Sequence, residues 1–76
     1  SEKADSVKVG DAVSWSINKD PDPPSTVHGI VSSVNNTDNE ATMVVWAIME
    51  DGSHKKTDRS VTQPISKLRK IKDFRN

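Results

Sequence analysis

The 76-residue chain predicts an all-β fold, a small five-stranded SH3-like barrel. Three observations lead to this prediction. Short runs of β-branched residues alternate between apolar and polar side chains, as half-buried strands do. Proline, glycine and Asp/Asn turn signals separate these runs. No segment keeps a helical 3.6-residue apolar repeat for more than two turns. At this length, closure into a barrel reduces the exposed edges that an open sheet would carry.

The first half of the chain contains two predicted strands and one long loop. Val13–Ile17 alternates apolar residues with serines, and Gly10-Asp11 gives a turn signal just before it. Asn18–Ser25 holds three prolines, so we expect an extended loop there. Thr26–Val34 is rich in β-branched residues and predicts the second strand, with a bulge or bend at Gly29.

The second half predicts three more strands. Ala41–Glu50 is almost continuously apolar, which is typical of a central strand covered on both faces. Asp51-Gly52 is a hairpin signal, and the polar run Ser53–Val61 predicts an edge strand. Thr62–Ile65 predicts a break with one turn of 3₁₀ helix, and Ser66–Ile71 a short last strand.

One domain is expected, over residues 7–72, with a flexible N-terminal tail at 1–6 and a C-terminal tail at 73–76. Phe74, in that last tail, is either docked on the domain or loose. The chain has no cysteine, which excludes disulfides, thiolate metal sites and a cysteine nucleophile. No apolar run approaches the roughly 20 residues of a membrane helix, and no leader-like segment is visible. We therefore expect a cytoplasmic protein without membrane contact.

Four stretches resemble the hypervirulence-associated Tudor-like family, small SH3-like domains of bacteria, fungi and phages. They are the opening Val9–Trp15, the second-strand element His28–Val31, the hairpin Asp51–Asp58 and, with Val61 before it, the closing Ser66–Ile71. The likeness covers roughly residues 9–71 and implies an SH3-like (Tudor-like) barrel. It implies no particular activity. The loop at residues 18–25 departs from the family, since it is rich in Pro and Asp where relatives tend to be Gly-rich.

Catalysis is not expected. His28 and His54 are isolated in the sequence, without metal-ligand spacing and without a neighbouring nucleophile and base. No serine lies in a Gly-x-Ser-x-Gly elbow, and three glycines leave no phosphate-cradling loop. Two acidic pairs lack the spacing and closing Glu of a calcium loop: Asp20 with Asp22, and Asp38 with Glu40. We expect no catalytic residue, no metal and no cofactor.

The ligands known for Tudor-like and SH3 domains are not expected either. Methyl-lysine and proline-rich peptides both need several aromatic faces. The chain has three aromatic residues, Trp15, Trp46 and Phe74, and no tyrosine. Because the alternation places Trp15 in the core, too few rings remain for either ligand.

Protein–protein interaction is the first functional hypothesis. The central strand is apolar on both faces, whereas a small barrel has a single interior, so one set of residues must lie outside it. That set is either Met43, Val45, Ala47 and Met49, or Val44, Trp46 and Ile48. If Val44, Trp46 and Ile48 are exposed, they predict an interface for a protein partner or for self-association. The alternative is that Phe74 and neighbouring loops cover them.

Nucleic-acid binding is the second hypothesis. Residues 1–40 carry three bases and seven acids, whereas residues 41–76 carry eight bases and four acids. Such a basic half favours salt-dependent contact with phosphates, although two charged faces that attract each other explain it as well. The pI of 6.7 and the few aromatic residues count against this hypothesis. The candidate contacts are Lys55, Lys56, Arg59, Lys67, Arg69, Lys70, Lys72 and Arg75.

Overall fold

The computed structural model describes residues 2–3, 6–18 and 20–75, and the fold is all-β as predicted. The strands form one antiparallel sheet in the order β1-β6-β2-β3-β4-β5. Their bounds are β1 Glu2–Lys3, β2 Ala12–Ile17, β3 Ser25–Asn35, β4 Glu40–Ile48, β5 His54–Pro64 and β6 Arg69–Lys70, with a 3₁₀ helix, η1, at Ile65–Lys67.

All five predicted strands are present, and β1 adds a sixth. β1 lies within the segment 1–6 that the sequence predicts to be a tail. Residues 1, 4 and 5 of that segment lie outside the described part of the chain. The same holds for residue 19 of the predicted loop and residue 76 of the C-terminal tail. Among the described residues, no helix combines the length and the apolar character that crossing a membrane requires.

Strand pairing does not close this sheet into the predicted barrel. Within the described residues the outermost strands are β1 and β5, and they do not pair with each other. The physical reason lies at β6, whose two residues pair with β2 on one side and with β1 on the other. No edge of β6 is therefore left for β5. As predicted, β5 is an edge strand.

One face of the sheet, the inner face, encloses the hydrophobic core. Met43 and Val13 are fully buried there, and Trp15 is only 5% exposed. The remaining core residues are Val7, Val31, Ala41 and Leu68. The 3₁₀ helix brings Leu68 beneath the sheet: Ile65 N–H donates to the carbonyl of Asn39 at 2.9 Å, and Leu68 N–H donates to the carbonyl of Ile65 at 3.0 Å.

A bulge in β3 lies at Ser32, not at Gly29 as the sequence predicts. Val31 pairs with Met43 and Ser33 with Thr42, so Ser32 is an extra residue. This single insertion changes which side each later residue faces, because the side-chain period of a strand is two. Gly29 instead pairs regularly with Val45.

Gly29 is required by a close approach of neighbouring atoms. A Cβ at this position would lie 2.8 Å from the carbonyl oxygen of Val44 and 2.9 Å from Cη2 of Trp15. Both distances are shorter than a carbon side chain tolerates. The missing side chain of Gly29 therefore makes room for the Trp15 ring in the core.

The end of the chain differs in detail from the prediction. β5 continues to Pro64, so the expected break begins at Ile65, and the expected 3₁₀ turn occupies Ile65–Lys67. The last strand shrinks to Arg69–Lys70, because the first residues of the predicted segment Ser66–Ile71 belong to that turn.

The structure decides which residues of β4 face the core. Met43 and Val45 lie on the inner face, in or against the core cluster. Register places His28 opposite Trp46 and Ile30 opposite Val44, on the other side of the sheet. We call this second side the outer face; it carries Val44, Trp46 and Ile48.

Candidate functional site

The outer face carries a cluster of four ring side chains that come from four segments of the chain. His28 projects from β3, Trp46 from β4, His54 from β5 and Phe74 from the C-terminal segment. We call these four residues the aromatic cluster. Register places His28 opposite Trp46, whereas His54 lies opposite Ile48, two residues further along β4.

The hairpin between β4 and β5 sets the position of His54. Met49 N–H donates to the Ser53 carbonyl at 2.8 Å, and Gly52 N–H donates to the Met49 carbonyl at 3.0 Å. Gly52 has a φ of 87°, which favours glycine. The predicted Asp51-Gly52 turn signal is thus confirmed, and the turn starts β5 at His54.

The two imidazoles of the cluster are hydrogen-bonded to each other. His28 Nδ1 lies 2.7 Å from His54 Nε2, with ring centroids 5.0 Å apart and ring planes 14° apart. With this centroid separation and so short an N–N distance, the rings lie end to end in nearly one plane. One ring donates an N–H and the other accepts with a lone pair, so at least one nitrogen of the contact is unprotonated.

Phe74 covers this pair from outside. Its ring stacks face to face on His54, with centroids 4.1 Å apart and planes 16° apart. The Phe74 centroid is 5.9 Å from that of His28. Trp46 meets Phe74 edge-on, with centroids 5.5 Å apart and planes 63° apart. Of the two alternatives left open by the sequence, docked or loose, Phe74 is docked.

Backbone and side-chain hydrogen bonds fasten the segment that carries Phe74. At its start, Ile71 N–H donates to the Ala12 carbonyl at 3.0 Å. At its end, Arg75 Nη2 donates to the Gly10 carbonyl at 2.8 Å. Arg75 also donates through Nε and Nη2 to the Asp73 carboxylate, at 3.1 and 2.8 Å. Residues 71–75, which we call the strap, therefore lie across the outer face.

An open groove runs beside the aromatic cluster. Its volume is about 600 Å³, and its lining consists of Trp46, Gly52, Ser53, His54, Phe74 and Arg75. Ile48, on the same face, keeps 49% of its surface exposed. The groove thus combines aromatic ring faces with the side chain of Arg75, and Ile48 is an exposed apolar residue on the same face of the sheet.

Four groups in or near the groove have displaced pKa values, and hydrogen bonding to Asp73 raises the pKa of Arg75. Burial, and then the neighbouring charge of His54, lower the pKa of His28 below its usual 6.5. Hydrogen bonds from the Arg75 side chain and backbone lower the pKa of Asp73 to about 2. Hydrogen bonds from Ser53 lower the pKa of Asp51 below its usual value. Neutral imidazole is therefore the favoured form of His28 near pH 7.

The residues predicted for a protein interface share the outer face. Trp46 is half-buried beneath Phe74, and Val44 is half-buried as well. Ile48 is the most exposed of the three. The alternative raised from the sequence was that Phe74 covers these residues. Phe74 covers Trp46 in part. That these residues contact a partner stays a prediction.

The residues predicted for nucleic-acid contact do not lie along one strand face. Lys55 pairs with Ala47 and Lys56 with Trp46, so these two lysines point to opposite sides of β5. In the sheet order, β5 is separated from Arg69 and Lys70 of β6 by three strands.

Two of these cations are also engaged by carboxylates. Lys70 Nζ lies 3.5 Å from Asp11, and Arg75 lies 2.8 Å from Asp73. The other six candidate contacts are exposed: Lys67 in η1, Lys72 in the strap, Arg69 in β6, and Lys55, Lys56 and Arg59 in β5. Contact of these residues with a nucleic acid stays a prediction.

The pairing of His28 with His54 is the functional feature that sequence reasoning missed. The two residues look isolated because 26 positions separate them. The sequence does predict that His28 and Trp46 lie on strands. Only the register of β3, β4 and β5, however, brings His54 to the same place. Within the described residues, no group of three or more His, Cys, Asp or Glu side chains is arranged to hold a metal ion.

No protein-family model, no curated protein and no solved structure matches the chain. The outer face and its geometry are therefore the basis on which a function is proposed.

Proposed function

We propose that this protein is a non-catalytic binding module that holds a segment of a protein partner on its outer face. We further propose that its architecture is that of a partly open SH3-like, Tudor-like domain. The support for the architecture is the meander β2-β3-β4-β5, followed by a 3₁₀ turn that returns the last strand to β2.

The observation that carries the proposal is the aromatic cluster at the surface, next to an open groove. Half-buried aromatic side chains with an exposed apolar neighbour are typical of residues that dominate binding energy. Trp46 and Phe74 give ring faces, and Ile48 is an apolar residue of the same face of the sheet that is 49% exposed. A groove of about 600 Å³ offers room for one or two side chains of an extended segment.

A binding role is supported over catalysis by the state of the two imidazoles. Each histidine uses the other as its side-chain hydrogen-bond partner. A general base needs a nucleophile within hydrogen-bond reach and a third group that orients it. In the described residues, no serine, threonine or carboxylate hydrogen-bonds to either ring. The pair is thus built as a structural unit of the face.

The proposal is tested by selecting peptides from a random displayed library on the purified protein. Selected peptides are titrated into the ¹⁵N-labelled protein, and the Trp46→Ala and Ile48→Glu variants are compared with Val9→Ala. Val9 is 66% exposed and lies outside the outer-face residues named here, so it is a matched control. Both outer-face variants should weaken binding at least tenfold, and the control should leave it unchanged.

Two results would contradict the proposal. Peptides that bind all variants equally would place the binding surface elsewhere, with the amide shifts showing where. Alternatively, mixed DNA and RNA could shift only residues 55–59 and 67–75, with shifts that shrink as salt rises. That outcome would replace the protein partner by a nucleic acid. Because Ile48 is exposed, Ile48→Glu keeps the test valid if Trp46→Ala does not fold.

A further inference from the structure

The strap shows what kind of side chain the outer face accepts. Phe74 lies on His54 with ring planes 16° apart and centroids 4.1 Å apart, while Trp46 closes the contact edge-on. One ring stacked on Phe74 and a second ring edge-on to it form a site that suits a flat aromatic side chain. Offset stacked and edge-on pairs are the favoured arrangements of aromatic rings. An aliphatic side chain can pack against these rings, but it cannot adopt either of the two ring–ring arrangements.

The ring-binding surface is also formed by parts of the molecule that do not depend on the strap. Strand register fixes the positions of His28, Trp46 and His54 in three adjacent strands. The hydrogen bond between His28 and His54 holds their two rings in nearly one plane. Removal of Phe74 therefore leaves a platform of three rings, in which the two imidazoles are nearly coplanar and Trp46 is inclined beside them, rather than a collapsed core.

The strap is held by bonds that another segment can replace. The hydrogen bonds of Arg75 are exposed, and exposed ionic contacts contribute little because water competes for both partners. Phe74 itself is half-buried, not enclosed. The groove beside it is open, so an incoming segment can approach while Phe74 is still bound.

We propose that the platform formed by His28, Trp46 and His54 is a binding site for an aromatic side chain of an extended partner segment, and that Phe74 occupies this site in cis. This inference rests on the proposed function and names its partner class: a peptide segment that presents a phenylalanine-like ring. The partner displaces the strap when it binds.

Competition with the strap sets the expected size of the effect. A ligand's apparent dissociation constant is its intrinsic constant divided by the fraction of molecules whose site is free. If Phe74 occupies the site about nine-tenths of the time, its removal tightens binding about tenfold. The strap acts at a high effective concentration because it belongs to the same chain.

The test uses the Phe74→Ala variant of the full chain and two capped peptides. One peptide has the strap sequence Ile-Lys-Asp-Phe-Arg, and the other has alanine in place of its phenylalanine. The readouts are the Trp46 indole N–H signal and the ring signals of His28 and His54. The phenylalanine peptide should shift these signals in the variant, with a dissociation constant at least fivefold lower than in the wild type.

The alanine peptide should leave all three signals unchanged. Equal binding of both peptides, or equal binding to variant and wild type, would overturn the inference. If Phe74→Ala does not fold, Arg75→Gln replaces it, since this change loosens the strap without removing the ring. That variant should bind the phenylalanine peptide more tightly than the wild type does, and no gain would count against the inference.

The two proposals can fail separately. Library peptides that bind the outer face while Phe74 keeps its wild-type signals would leave the proposed function standing and refute displacement of the strap. Conversely, the phenylalanine peptide could bind the Phe74→Ala variant while no library peptide depends on Trp46 for its binding. That result would confirm the site for an aromatic ring and remove the evidence for a protein partner.

Discussion

His28 Nδ1 and His54 Nε2 lie 2.7 Å apart, end to end and almost coplanar, beneath the ring of Phe74. A hydrogen bond between two imidazoles needs a donor on one ring and a lone pair on the other. The contact therefore persists while one of the two facing nitrogens carries a proton and the other a lone pair. When both rings are positively charged, two N–H donors face each other and the contact is lost.

The stability of the protein should therefore decrease as pH falls below the usual histidine pKa. The folded-state pKa of His28 is lowered by burial and by His54, so the unfolded chain takes up this proton first. Above pH 6.5 both states hold His28 neutral, and its contribution to stability is fully present. Between 6.5 and the lower folded-state value, stability is lost. Urea unfolding at pH 7.5 and pH 5 measures the change.

His28→Gln is the matched variant for this prediction, since glutamine keeps polar atoms but does not titrate. It should lose less free energy of unfolding between the two pH values than the wild type. If wild type and variant show the same pH dependence, carboxylates rather than His28 cause it.

Gly29→Ala should destabilise the fold by about 2 kcal/mol or more, as overpacking of a well-packed core does. The added Cβ would meet the Val44 carbonyl at 2.8 Å and the Trp15 ring at 2.9 Å. Ser33→Ala is the control, because Ser33 is an exposed residue of the same strand. Thermal unfolding should show a large loss for the first variant and a small one for the second. Similar losses would mean that the strand relaxes around Gly29.

Arg75→Gln should raise the pKa of Asp73 from about 2 towards its usual 3.8. The largest cause of the low pKa is the hydrogen bonding from the Arg75 side chain, which this variant removes. The backbone N–H of residue 75 still donates to Asp73, so the pKa rises only part of the way. Carboxyl ¹³C shifts measured against pH report this change. Asp51 is an internal control, since Ser53 and not Arg75 lowers its pKa. An unchanged pKa of Asp73 would show that the Arg75 side chain does not hydrogen-bond its carboxylate in solution.

Thr57→Val should cost about 1 kcal/mol, the usual net contribution of a hydrogen bond. Thr57 lies in an irregular part of β5, where its hydroxyl donates to the Val45 carbonyl at 2.7 Å and accepts from Arg59 N–H at 3.2 Å. Valine has the same shape without the hydroxyl. Thr62→Val, at an exposed cross-strand pair with Thr42, should cost less. Chemical denaturation compares the two, and equal costs would contradict a special role of Thr57.

The alternation of apolar residues was sufficient to predict the strands and most of the core. Trp15 and Val13 are buried as the period of two requires, and β4 lies between two neighbours as its apolar run indicates. The edge position of β5 and the 3₁₀ turn were also predictable. These features depend on local preference and on burial, both of which can be read from a single stretch of sequence.

The bulge at Ser32 was not predictable in the same way. It reverses the faces of later residues, so that Val34 rather than Ser33 packs against the core. Gly29 drew attention as the obvious irregular position, yet its role is to admit the Trp15 ring. A bulge depends on how two strands match each other, and a single strand's sequence carries little of that information.

The all-β class, the hairpin turn at Asp51-Gly52 and the inward side of β2 follow from the sequence alone, because hydrophobic periodicity and turn chemistry are local properties. The sequence also showed that β4 has two apolar faces. Only the tertiary structure decided that Val44, Trp46 and Ile48 face outward, that His28 meets His54, and that the strap lays Phe74 upon them. These contacts join residues far apart in the chain, so they depend on strand register and on the path of the C-terminal segment, which no local pattern specifies.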